Sequence, residues 1–125
     1  MEQSMNDIQL NEKILLFNYH VSIRNIRGEK DDAIANCYGK ECKNIDNAQK
    51  RIICKEACQQ TMLNDAISKL SRLIGNCVQT RRKMACKWKI TKMMKVYKDR
   101  IQTSKGRMKD AKVELLAANA IKRRK

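Results

Sequence analysis

The chain has 125 residues, a formal net charge of +15, no proline and four glycines, a length that suits one domain of ordinary size. Aromatics are 4% of the residues, which argues against a large aromatic-lined ligand pocket. The longest apolar run, Ile14-Leu15-Leu16-Phe17, ends at Asn18, far short of a membrane span.

The absence of proline permits long uninterrupted helices, and the abundant Lys, Arg, Ala, Leu, Met, Gln and Glu favour them. The spacing predicts a first helix from about Asn6 to Arg27. Asn6 or Asp7 is its cap, and Leu10, Ile14, Phe17 and Val21 lie on one face, widened by Leu16, Tyr19, Ile23 and Ile26. Arg24 and Arg27 fall in its last turn, with Gly28 as the stop. Residues 29–45 read as a short element with a turn, in which Asp31-Asp32 starts a brief helix and Gly39 weakens it. A second helix runs from about Asp46, its N-cap, to Ile74. Its seam is Cys54, Cys58, Met62, Ala66, Leu70, Leu73 and Cys77, flanked by Leu63, Ile67 and Ile74. After Gly75-Asn76 a last helical region covers about Arg81 to Lys122. Ile90, Met94, Tyr97, Ile101, Met108, Ala111, Leu115, Ala118 and Ile121 keep one face. Ser104 and Lys105 leave a gap in that face, and Gly106 is a point of kinking or division. Lys122-Arg123-Arg124-Lys125 reads as a frayed tail. The expected fold class is all-α: a small helical bundle or an extended helical hairpin with a long C-terminal basic helix. It forms a single helical domain over residues 1–125. Residues 1–78 are its near-neutral, cysteine-containing part, and residues 79–125 its strongly basic part.

The six cysteines are Cys37, Cys42, Cys54, Cys58, Cys77 and Cys86. Cys54 and Cys58 are one helical turn apart and share a face. If the segment before Asp46 folds back antiparallel on the second helix, Cys42 meets Cys54 and Cys37 meets Cys58. This nesting resembles, in spacing, the stapling of small helical-hairpin folds such as coiled-coil-helix domains, over about a fifth of the chain. Its cysteine separations differ from that family's. Cys77 and Cys86 can close the loop around Gly75 only if that loop is not helical, because one continuous helix holds them too far apart. Three readings stand: structural disulfides, suggested by the even count and the nesting; reduced thiols packed as small hydrophobes; and a zinc site at Cys37, Cys42, Cys54 and Cys58. The close C-x2-C knuckles that favour zinc are absent.

Charge is the strongest signal. Residues 1–65 carry nine basic and ten acidic side chains, whereas residues 66–125 carry nineteen basic and three acidic. Such polarity implies a polyanionic partner for the second half. The candidate phosphate-contacting residues are Arg81, Arg82, Lys83, Lys87, Lys89, Lys92, Lys95, Lys98, Arg100, Lys105, Arg107, Lys109 and Lys112. Lysine predominates, and a point charge suits backbone phosphates better than base edges. The expected partner is DNA or RNA without sequence preference, or another polyanion. Trp88 and Tyr97 can stack on bases, though both positions fit packing roles better. The stripe of Met, Ala and Ile on the last helix lacks the bulky apolar face of a membrane-surface helix, which argues against a membrane partner. Protein partners or a homo-oligomer can use the apolar seams.

No catalytic constellation is visible. The one histidine, His20, sits beside an apolar seam, and no glycine-rich phosphate loop or metal-binding histidine cluster accompanies it. The start Met1-Glu2-Gln3-Ser4 lacks the marks of a signal peptide, so an intracellular or particle-associated location is expected. The reading is a non-catalytic protein without a cofactor, serving as a structural or binding component of a nucleoprotein assembly. One alternative is a cysteine-stapled adaptor that docks an acidic protein surface. Another is an inhibitor of a nucleic-acid-processing enzyme.

Overall fold

The structure, a computed structural model, describes residues 5–79 and 83–124, with side chains for 19–77 and 84–122. It is a small all-α bundle of three helices: α1 (Met5–Cys37), α2 (Ala48–Ile74) and α3 (Lys83–Arg124). A π-helical segment, Tyr38–Cys42, extends α1, and a 3-10 segment, Gly75–Gln79, follows α2. Among the described residues, only 43–47 lie outside helices, and no helix is long and apolar enough to cross a membrane.

Helix α1 does not stop at Gly28. That glycine keeps a negative φ inside the helix, and its propensity penalty of about 1 kcal/mol is small beside what the extension gains. Ile34 is buried and Cys37 is bonded to α2. The short element expected over residues 29–45 is therefore mostly the end of α1. Asp31-Asp32 sits mid-helix instead of starting one, and Asp31 pairs with buried Lys30 at 3.0 Å. The N-cap of α2 is Asn47, not Asp46: the Asn47 side-chain oxygen accepts the Lys50 N–H at 2.9 Å. Arg51 braces the turn by donating to the Ile45 and Asp46 carbonyls, at 2.9 and 3.3 Å. Gly106 does not divide α3, which continues as helix through Arg124, so the last residues are not a separate tail as far as that point.

All six cysteines are paired: Cys37–Cys58, Cys42–Cys54 and Cys77–Cys86. The nested pair depends on the π segment. On an α-helix, residues five apart point roughly 140° from one another, so Cys37 and Cys42 could not both face one turn of α2. The wider winding of the π segment narrows that angle, and the two cysteines bond to Cys58 and Cys54 of α2. Only a 3-10 segment and residues 80–82 separate α2 from α3, and there the Cys77–Cys86 bond closes the loop.

Helices α1 and α3 both run antiparallel to α2, and each packs on it; they approach one another less closely. The core comprises Tyr19 and Ile23 of α1, Leu63, Ala66, Leu70 and Leu73 of α2, and Ile90, Tyr97 and Ile101 of α3, with Cys77 and Cys86. The seam expected on α2 is thus largely covered within the chain. Ser104 fills the expected gap on α3 as a buried polar residue. Its hydroxyl lies 3.2 Å from the Glu56 carbonyl and 2.5 Å from the Glu56 carboxylate, and it accepts from Gln60 Nε2 at 3.2 Å. At the bundle surface Lys69 links the first two helices through Glu29 and Asp65, at 3.0 and 3.1 Å. The hydrogen bond to Glu29, and then that to Asp65, raises its ammonium above the ordinary lysine value.

Candidate nucleic-acid interface

Because α3 turns one face to α2, its cations fall on the other flanks. Of the thirteen candidate phosphate contacts, Arg81 and Arg82 lie outside the described residues, as does the side chain of Lys83. Lys87 is half-buried, and the remaining nine are exposed. Among the described residues, Arg107 is the one cation of α3 within reach of an acid, 3.9 Å from Glu56. The others whose side chains are described keep their charge unpaired by carboxylates. They divide between two flanks: helical spacing puts Lys95, Lys98, Lys105, Lys109 and Lys112 on the side away from α1, and Lys89, Lys92 and Arg100 on the side toward it.

That second flank borders a groove. Since α1 and α3 are splayed on α2, an open cleft of about 580 Å³ runs between them. Its α1 wall is His20, Arg24 and Arg27, and its α3 wall is Trp88, Lys89, Lys92 and Val96, with Ile23 and Met93 between. Arg27, Met93 and Val96 also line a second cavity of about 430 Å³ that continues to Lys30, Asp31, Tyr97 and Arg100. The two make one groove. Its lining holds six Arg or Lys side chains and a single acid, Asp31, so the low-dielectric walls concentrate a positive potential.

The two aromatics on α3 differ. Tyr97 is buried, with Lys30 Nζ 4.8 Å and the Arg100 guanidinium 6.0 Å from its ring centroid, in keeping with its expected packing role. Trp88 is not a packing residue: it is 66% exposed, at the mouth of the groove, with Lys92 Nζ 5.1 Å from its ring centroid. The helical phase explains this, since Trp88 falls well off the Ile90–Tyr97–Ile101 face. At the same end of the bundle, the Tyr19 hydroxyl donates to the Cys86 carbonyl at 3.2 Å, and burial pushes its phenol above the ordinary tyrosine value.

Sequence reasoning missed Arg24 and Arg27, assigned to the last turn of a shorter helix. Once α1 passes through Gly28, His20, Arg24, Arg27 and Asp31 follow one another at spacings of four, three and four, on one face. His20 is exposed and lines the groove. The expected cysteine cluster does come together, with the sulfurs of Cys42, Cys54 and Cys58 all within 4.8 Å of one another. With Cys37 they form two disulfides, which leaves no thiolate among them to ligate zinc. Comparison of the chain with known protein families, curated proteins and solved structures gives no match.

Proposed function

We propose that this protein is a non-catalytic binding component of a nucleoprotein assembly, contacting nucleic-acid phosphates through α3. The observation that carries this reading is the set of exposed α3 cations without carboxylate partners among the described residues. A solvated helix face ordinarily mixes signs, whereas here each cation is available to replace a counterion on a phosphate backbone. Lysine predominates on the flank away from α1, which suits contact without base readout. Three disulfides fit a particle or another oxidising setting better than a reducing cytosol.

The test is fluorescence anisotropy with a labelled random-sequence oligonucleotide over a salt series, using the disulfide-intact protein. Substitution is more informative than truncation, because α3 supplies Ile90, Tyr97 and Ile101 to the core. Changing Lys95, Lys98, Lys105 and Lys109 to Gln should weaken binding and flatten the salt dependence. The slope should fall by about 0.7 to 0.9 for each phosphate that the variant no longer neutralises. Absence of binding at low salt would reject the reading. The second reading, an adaptor docking an acidic protein surface, draws on exposed Val113, Leu116 and Ile121 near the end of α3. It predicts a stoichiometric protein complex that survives nuclease.

A further inference from the structure

We infer that the groove between α1 and α3 is a single-strand site, in which Trp88 stacks on an unpaired base while Arg24, Arg27, Lys89 and Lys92 hold the adjoining phosphates. This rests on the phosphate-binding reading of α3 and deepens it, by adding a second helix and a base contact.

Three features of the groove lead to a nucleic-acid strand. Its cations come from both walls, Arg24 and Arg27 facing Lys89 and Lys92 across an apolar floor of Ile23 and Met93. A flexible polyanion lying between the walls meets positive charge on two sides, which a convex lysine flank cannot offer. The exposed indole has no packing task, and it stands within 5.1 Å of a lysine ammonium. Alternating π-faces and phosphates are what a nucleic-acid strand presents to such a pair.

The choice of a single strand follows from where the indole stands. In a duplex the base faces are stacked on one another and only their edges are open. An indole can cover a base face only where the base has left the stack. From Trp88 to Arg100 the groove spans about 18 Å of helix, room for a short stretch of a few nucleotides. A duplex is left with the outer lysine flank of α3, where backbone contact needs no aromatic.

Trp88 is the one tryptophan of the chain, so its emission reports on the groove without a label. The experiment titrates the full-length, disulfide-intact protein with an oligothymidylate, a duplex, inorganic polyphosphate, and anionic phosphatidylglycerol vesicles. The oligothymidylate should quench Trp88 emission, and polyphosphate, which has no bases, should bind without that quenching. By anisotropy, Trp88→Ala should lower oligothymidylate affinity about tenfold or more, with a much smaller effect on polyphosphate, and Trp88→Phe should fall between. Arg24→Gln with Arg27→Gln should lower the single-strand salt slope by about 1.4. Undiminished oligothymidylate binding in both the Trp88 and the arginine variants would overturn the groove. If that binding were abolished on substituting Lys95, Lys98, Lys105 and Lys109, the reading of α3 would survive. A blue shift with vesicles and no quenching by oligothymidylate would overturn the inference in favour of a membrane surface. Failure to bind any polyanion would remove both readings together.

Discussion

Along α2, helix α3 buries Ile90, Tyr97 and Ile101, locks Ser104 onto Glu56, and is tied at its start by Cys77–Cys86. Along α1 it leaves Trp88 and Val96 at least half exposed and sets Lys89 and Lys92 opposite Arg24 and Arg27. The antiparallel pair is closed, and the parallel pair is held mainly through the helix between them. The difference shows how one helix serves two tasks. A stripe of small and branched residues commits one face to the fold. Lysines and arginines keep their heads in water on the others, so the cationic flanks stay available to a partner.

The largest expected effect comes from removing the covalent frame. Each disulfide loop taken alone is worth about 3 kcal/mol in the chain-entropy picture. Cys42–Cys54 lies inside the Cys37–Cys58 loop, so those two contributions are not additive. Full reduction should still cost a large part of the 5–15 kcal/mol typical of a domain. Thermal melts with and without reductant measure it, and intact mass, rising by two hydrogens per bond, verifies the extent of reduction. An unchanged midpoint would show that the apolar contacts suffice alone.

Next in size is a contrast between the two interfaces. Leu70→Ala, fully buried in the core, should lose about 2–5 kcal/mol in denaturant unfolding. Val96→Ala, in the groove wall at 50% exposure, should lose well under half of that. Equal losses would mean that the groove closes in solution. Ser104→Ala should cost about 1–3 kcal/mol by leaving the Glu56 carboxylate without its hydroxyl donor. A double-mutant cycle with Glu56→Gln isolates that pair.

Tyr19→Phe should give the smallest change, about 0.5–1.5 kcal/mol for removal of the hydrogen bond to Cys86. It should also alter the pH profile. Burial raises the folded phenol above the unfolded value of 10.0, so the folded state holds its proton longer. Its stabilising share is complete below that unfolded value and is lost as pH rises through the folded one. Melts from about pH 9 to 11 should fall less steeply for the phenylalanine variant than for the parent protein.

Much of this architecture was legible in the residues. A chain without proline, with seams such as Ala66–Leu70–Leu73, has few choices besides long helices, and Cys54 and Cys58 one turn apart allowed nested partners if the preceding segment returned. The limits of α1 were harder to read, because glycine weakens a helix without stopping it. Local propensity at Gly28 was outweighed by Ile34 and Cys37, whose anchorage lies on another helix. Ser104 looked like a gap because a pattern of apolar residues does not register a hydroxyl whose partner is forty-eight residues away. The candidate interface divides the same way. Composition alone identified the cationic lysines of α3.

What the sequence determined by itself, then, is the helical class, the polarity of charge and the spacing that lets the first four cysteines nest, a pairing that the structure decided among three readings. All three depend on periodicity and near neighbours, which chain order encodes directly. Only the tertiary structure decided that Arg24 and Arg27 face Lys89 and Lys92, and that Trp88 stands open while Tyr97 is buried. Those relations depend on how far each helix is shifted and rotated on α2. That placement is set by the joint packing of Leu63, Leu70 and Ile90, and no single segment contains it.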